Sequence, residues 1–269
     1  MISSKTPFDH SAASYDADFT YSMIGRAQRD IVHEYLENNL NFSKVLQILE
    51  LNCGTCEDAL FFAEKGADIL ATDVSEKMLE IAKEKVKSAG LENKICIKKL
   101  DTADLALENF ERKFDLIFSN FGGLNCISSD KMKELSGAFR RILNPSGRMI
   151  FTIMPSLTLW EIFYFSFRRE FREAFRRRKR SGLEVKIKDS IVHTYYYSPR
   201  EIIKIFSGNF KLISIRPVGF FVPPSYLENF FKKKAGLFQG LKKIERAIKN
   251  VSALSSFSDH FIIDLEARQ

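Results

Sequence analysis

Between residues 45 and 154 the chain alternates short apolar runs with longer amphipathic stretches, and this rhythm restricts the fold more than any other feature. The runs are VLQILEL (45–51), ADILATD (67–73), KICIKKLD (94–101), FDLIFSN (114–120) and RMIFTIM (148–154). Between them lie CEDALFFAEKG (56–66), SEKMLEIAKEKVKSAG (75–90) and SDKMKELSGAFRRILNPSG (129–147). The last two open on serine, which caps a helix N-terminus, and close near glycine, which ends one. Apolar runs of about five residues read as strands buried on both faces. Strands that alternate with helices are βαβ units, so the pattern predicts an α/β fold: a doubly wound, mostly parallel sheet covered by helices on both faces.

The flanks read differently. Residues 8–40 form a helical lead-in, polar to Asp18 and then apolar at Ile24, Ile31, Tyr35 and Leu36. After 154 the rhythm lapses. Residues 155–182 predict one long aromatic and basic helix, and 184–197 alternate like a strand. Ser198 and Pro199 open a short helix over 198–208. A strand is expected over 210–221, a helix over 223–250 and a last strand over 258–268. With no internal repeat and no Gly/Ser linker, we divide the chain into a lead-in or lid (1–43) and a core (44–154). Cap insertions follow at 155–197 and 219–250, and the remaining core strands at 198–218 and 251–269, giving seven strands in the sheet. The insertions are expected to pack onto the sheet.

Composition removes several classes. A chain with 45% hydrophobic and 28% charged residues is not disordered. No stretch of about 18 uncharged apolar residues is present, so no helix is expected to span a bilayer. The first residues, MISSKTPFDHSAAS, lack the apolar segment of a signal peptide, and with four cysteines they suggest a reducing, cytoplasmic setting. The net charge is +7, of which +6 falls in RREFREAFRRRKR (168–180). The basicity is a local patch and not a cationic surface spread over the molecule.

The chemistry concentrates in ILELNCGTCED (48–58) and ATDVSEKML (71–79). A turn between a first strand and a first helix must let backbone approach a ligand, which favours glycine. An acidic residue at the tip of the second strand then accepts from both ribose hydroxyls. Gly54 and Asp73 stand at the spacing of such a nucleotide site.

These residues resemble those of the class I S-adenosylmethionine-dependent methyltransferases. Glu50-Leu51-Asn52-Cys53-Gly54-Thr55-Cys56 is similar to the family's glycine-rich first motif, and Asp73 to its ribose-binding acid. LDTADL (100–105) is similar to the third motif, FDLIFSN to the fourth strand, and RRILNPSGRMIF (140–151) to the helix–turn–strand that follows. The resemblance covers 8–154 closely and the final strands more loosely. It implies S-adenosylmethionine as cofactor, bound by Tyr15, Glu50, Asn52, Cys53, Gly54, Asp73, Val74, Met78, Asp101, Thr102, Ala103, Asn120 and Phe121. Tyr15 would cover the cofactor, Asp101 and the Thr102–Ala103 backbone would face the adenine, and Asn120 would sit under the methyl group. Phe121 fits a pocket wall or ordinary strand-end packing. Asn52, Cys56 and Ser146 stand where glycines are usual; Asn tolerates left-handed backbone, and Cys56 is small enough for a first helical turn.

Cys53 and Cys56 also form a C-x-x-C, which in thioredoxin-like chains is a redox motif. Small residues packing a turn is the simpler reading, and no second cysteine pair or histidine cluster accompanies them, so no metal site is expected. Of the four histidines, His193 and His260 are the weak candidates for a base or an acceptor contact; His33 reads as a helix surface or core residue. Arg29 could neutralise a cofactor carboxylate, although a solvated helix arginine is the simpler assignment. Phe121-Gly122-Gly123 lacks the proline pair by which nucleic-acid amino-methyltransferases hold a planar amine.

Phe163, Phe167, Phe171 and Phe175 make an apolar stripe at helical period, with Arg168, Arg172 and Arg176 alongside. Such a stripe is most simply a core face. A membrane-surface helix and an RNA-contacting helix are the alternatives. The sequence therefore predicts methyl transfer to a small or lipid-like hydrophobic acceptor, with peripheral membrane contact possible. An RNA methyltransferase that uses 168–180, and a non-catalytic protein that kept the fold, stand behind it.

Overall fold

The computed structural model describes residues 6–187 and 190–268. The chain begins with a 3₁₀ turn at Pro7–His10, then α1 (Ala12–Tyr15), a single wide turn over Asp16–Thr20, and α2 (Met23–Asn39). The lead-in is thus four pieces. A side chain at Gly25 would meet the Phe19 carbonyl oxygen at 1.9 Å, so glycine lets α2 pack against the turn before it. The alternating region follows as β1 (Gln47–Leu51), α3 (Glu57–Glu64), β2 (Asp68–Asp73), α4 (Glu76–Ser88), β3 (Ile95–Lys99), β4 (Phe114–Ser119), α5 (Ser129–Ile142) and β5 (Leu143–Ile153). Ser75 caps α4 by accepting from the Met78 N–H, and Ser128 caps α5 through Lys131.

Beyond β5 the elements are α6 (Leu159–Phe167), α7 (Phe171–Ala174), β6 (Leu183–Ile187), β7 (Ser190–Thr194), α8 (Pro199–Phe206), β8 (Phe210–Val218), α9 (Glu228–Lys232), α10 (Ala235–Ile248) and β9 (His260–Ala267). The sheet has seven strands in the order β3-β2-β1-β4-β5-β9-β8, with β1 to β5 parallel and β9 antiparallel to both its neighbours. This is the doubly wound α/β sheet that the rhythm predicts. Leu49, Leu51, Ile117, Phe139 and Phe151 anchor the core on one face, and Ile48, Ile69, Phe62 and Phe118 the core on the other.

Four expectations need correction. Residues 155–182 are not one helix: the chain breaks after Phe167, where Arg169 takes a left-handed φ of 60° and Glu170 turns into α7. The Phe stripe is not a core face, because Phe163, Phe167, Phe171 and Phe175 are 69%, 92%, 61% and 45% exposed. Residues 184–197 are not one strand but most of the antiparallel pair β6–β7, whose link at 188–189 lies outside the described residues. Residues 223–250 divide at Lys233–Lys234 into α9 and α10. In addition, β5 begins at Leu143 and not at Arg148, with a register shift opposite Phe114–Leu116 that accommodates Ser146 at φ 59°.

The segments around the sheet are held by buried and half-buried carboxylates. Glu228 accepts from the free Met23 and Ile24 N–H groups at the start of α2, each at 2.9 Å. Glu245 accepts four consecutive backbone N–H groups from Gly219 to Val222. Glu161 on α6 accepts from Arg177 at 2.8 Å, and Arg177 reaches Asp259 at 3.5 Å. Charge-assisted bonds of this kind fix loops that little apolar burial would hold.

Candidate cofactor cleft

A cleft of about 730 Å³ opens over the C-terminal ends of β1, β2 and β4, where doubly wound sheets bind ligands. Its floor is the turn after β1. Asn52 and Cys56 both take left-handed backbone, at φ 55° and 64°, as does Gly54 at φ 53°. The expected tolerance of Asn52 for this conformation holds. Cys56 occupies the N-cap position of α3, not its first turn. A side chain on Gly123 would strike Asn52 at 2.5 Å, so the β4 loop closes directly onto this bend.

Asp73 ends β2 and lines the cleft. One carboxylate oxygen accepts from the Gly54 N–H at 2.9 Å and the other from the Ser75 N–H at 2.8 Å. A carboxylate has about four acceptor positions, so lone pairs remain for a ligand diol. Burial raises the Asp73 pKa, and the N–H bonds from Ser75, Gly54 and Val74 only partly offset this.

Of the residues named from the sequence, Tyr15, Asn52, Gly54, Val74, Met78 and Asp101 also line the cleft. Thr102, Ala103, Asn120, Phe121 and His193 join them. Asp101 accepts from the Ala103 N–H at 2.9 Å and so shapes one end. Burial, aided by the charges of Asp58, Asp73 and Asp16, pushes the Tyr15 hydroxyl up to about 12, so it is a neutral hydrogen-bonding group there. Three named residues lie outside the lining. Glu50 is buried behind it. Cys53 turns its sulfur toward Cys56 at 3.6 Å, and His260 sits edge-on to the Phe121 ring at 5.5 Å between centroids. His193 Nε2 donates to the Ser181 carbonyl, 2.8 Å away, on an exposed rim. The Cys56 hydrogen bond and burial raise the Cys53 thiol well above its ordinary value, the reverse of a redox nucleophile. Among the described residues no group of three or more His, Cys, Asp or Glu is placed to hold a metal.

Sequence reasoning missed the network below the cleft. Asp58 on α3 accepts from Asn120 Nδ2 at 3.0 Å, meets His33 at 2.7 Å and lies 3.3 Å from Arg29 Nε. Burial alone would raise the Asp58 pKa, but Arg29, His33 and Asn120 outweigh it and hold it at about 2. Asn120 in turn accepts from the Phe121 N–H at 2.9 Å, which sets Phe121 at φ 46°. Its ring packs on Phe19 and lies 5.2 Å beneath the Arg29 guanidinium.

Arg29 is therefore no solvated helix residue: it is 8% exposed. Its Nη1 has no hydrogen-bond partner, and neither has Oε2 of buried Glu50. Burial, with Asp58 and Cys56 adding to it, raises the Glu50 pKa well above the ordinary range, while Arg29 pulls it down. An orphaned donor and an orphaned acceptor that feel each other's charge fit the two ends of a free amino acid. Buried polar groups without partners are costly, and a ligand that satisfies both removes the cost.

The rim comes from the lead-in and from β7. Thr6, Pro7 and Phe8 line one side, Val192 and Tyr195 another. Asp9 clips the lead-in to α4, accepting from Ser75 Oγ at 2.6 Å and from the Lys77 N–H at 3.2 Å. Asp16 accepts from the Thr55 hydroxyl at 2.7 Å, tying α1 to the first turn.

Residues 48–147 match the model of a family described as a methyltransferase domain. A demethylmenaquinone methyltransferase of Leptospira interrogans is 28% identical over 147 residues, which is 53% of this chain and 57% of that one. A malonyl-[acyl-carrier protein] O-methyltransferase of Priestia megaterium is 30% identical over 162 residues, 59% of this chain and 53% of that one. The chain spans about half the length of the curated relatives it matches. Among solved structures, an S-adenosylmethionine-dependent methyltransferase from Clostridium acetobutylicum superposes with a TM-score of 0.58 at 18% identity, covering 97% of this chain and 99% of that one. That likeness establishes the fold, and the matched segment carries the turn and the acid built above. The chain carries a methyltransferase domain over 48–147 and shares the fold of S-adenosylmethionine-dependent methyltransferases.

Proposed function

We propose that this protein transfers a methyl group from S-adenosylmethionine to a small or lipid-like hydrophobic acceptor. The observation that carries the reading is the pairing of unsatisfied Glu50 and Arg29 beneath a cleft whose far side presents Asp73. These groups match the ammonium, the carboxylate and the ribose diol of one ligand. When bound, the cofactor supplies an electrophilic methyl group on a cationic sulfur.

Every other part of the reaction falls to the chain. Asp73, held by two backbone N–H groups, keeps its remaining lone pairs toward the cleft and orients the sugar. Glu50 neutralises the ammonium and Arg29 the carboxylate, which fixes the amino-acid end. Tyr15, Phe19 and Phe121 form an aromatic wall with ring separations of 5.8 and 4.9 Å. Aromatic faces favour a cation and exclude water. Asp58 and Asn120 hold Phe121 in its left-handed conformation, so they position this wall. Phe8, Ile127, Val192 and Tyr195 give the open end of the cleft an apolar lining that suits a hydrophobic acceptor. The names of the menaquinone and acyl-carrier relatives support the same acceptor class. Where the acceptor must lose a proton, His193 is our assignment for the base: it lines the cleft, and its Nε2 donates to the Ser181 carbonyl, which leaves Nδ1 as the acceptor. Holding two reactants in line supplies most of the rate gain in such transfers.

Calorimetry tests the reading. S-adenosylmethionine should bind in the micromolar range, and Asp73→Ala should weaken it at least tenfold. Equal affinity in the two proteins would remove the basis for the proposal.

A further inference from the structure

We propose that the exposed aromatic face of α6 and α7, rimmed by arginine and lysine, docks on an anionic phospholipid bilayer. Phe163 and Phe167 are one helical turn apart on α6, and Phe171 and Phe175 follow across the Arg169 bend. All four rings are exposed, with Phe167 at 92%. Tyr226 and Phe230 extend the surface: the Tyr226 ring lies 5.9 Å from Tyr164 on α6, and Phe230, on α9, is 54% exposed. Six exposed aromatic side chains in one region exceed the scattered apolar residues of an ordinary surface.

Charge identifies the occupant. Arg169, Arg172, Arg178, Lys179, Arg180, Lys233 and Lys234 are exposed and have no carboxylate partner among the described residues. The segment from 168 to 180 holds +6 of the chain's net +7. Cations beside inserting aromatic rings are the combination that binds acyl chains and phosphate headgroups together. A second copy meeting through this face would set its unpaired cations against those of the first. Phenylalanine rings can also stack on unpaired bases, so RNA binding is the competing outcome that the test below separates. The base of the patch is rigid, because Glu161 on α6 is buried and gripped by Arg176 and Arg177, the latter tied to Asp259. No helix of the described residues is long and apolar enough to cross a membrane, so contact of this kind is peripheral. The inference needs no methyl transfer and stands apart from the cofactor cleft.

Sedimentation of the whole protein with vesicles tests it. Vesicles of phosphatidylcholine with about one-third phosphatidylserine should retain the protein at least tenfold better than pure phosphatidylcholine, with most retention lost in about 0.5 M salt. Phe163→Ser with Phe167→Ser, and separately Arg169→Glu with Arg172→Glu, should each weaken retention at least tenfold. Both variants alter exposed residues and should keep the parent melting temperature and cofactor affinity. Retention that is absent, indifferent to lipid charge, or unchanged in either variant overturns the proposal. So does a result in which these substitutions abolish self-association or RNA binding and leave vesicle binding as it was.

Discussion

Replacing Arg29 with methionine separates the cofactor role proposed for this arginine from its structural one. The substitution keeps a long apolar stem against Phe19 and Phe121 and removes the guanidinium. In the free protein Asp58 loses its Nε contact but keeps His33 and Asn120. Breaking a buried ion pair costs about 3–5 kcal/mol, and with two partners left the loss should fall near 3 kcal/mol. For a domain of this size that is a fall in melting temperature of roughly 5–10 °C. In the complex the variant also loses one charge-assisted bond to the ligand carboxylate, worth about 1.5–3 kcal/mol. At about 1.4 kcal/mol per decade, binding weakens by roughly 10- to 150-fold. The assay is calorimetry with two ligands: S-adenosylhomocysteine, which carries the amino-acid end, and 5′-methylthioadenosine, which lacks it. The first should lose the full factor and the second should change by less than about threefold. Equal weakening of both ligands would mean that Arg29 only supports the fold, and the assignment to the carboxylate would fail.

Other expectations follow from the same geometry. Burial keeps Glu50 protonated to higher pH in the free protein, so ligand ammonium should ionise it; cofactor binding then releases a proton, and affinity rises with pH through the raised pKa. Calorimetry in buffers of different ionisation enthalpy reads that proton, and Glu50→Gln should abolish the dependence. Asp58 and Asp259 have pKa values depressed to about 2 in spite of burial, by Arg29 and by His260 respectively as the strongest opposing charges. Their stabilisation is complete above the ordinary carboxylate pKa near 4 and is lost as pH falls toward 2, so melting temperatures should drop across that window. Ser146→Gly should stabilise the protein by about 0.5–1 kcal/mol in urea melts, because it relieves a left-handed residue on an exposed bend. His193→Gln should lower kcat by about 100-fold or more without changing cofactor affinity; an unchanged kcat would remove His193 as the base.

The sheet was legible because β1 to β5 carry apolar runs bounded by cap residues, and a period of two or 3.6 survives in any environment. The cap was not. Nothing in Arg168-Arg169-Glu170 signals a break, since neither glycine nor proline marks it, and the left-handed Arg169 is imposed by the packing of α6 on α7. The turn and Asp73 could be found because they are close in sequence to the strands that present them. Asp58, Arg29 and Asn120 come from α3, α2 and the end of β4, and only the folded chain joins them. Phe163 and its neighbours show the limit of periodicity: it locates a stripe and does not tell what covers it.

On the proposed function, the Asp9 clip would bear on how fast a ligand leaves. Thr6, Pro7 and Phe8 wall the cleft, and Asp9 staples them to the first turn of α4 through Ser75 and Lys77. A ligand lying beside that strap would have its residence time coupled to these few hydrogen bonds. Loosening the staple would exchange tight retention for faster release, and the enzyme's cycle would be timed at its doorway.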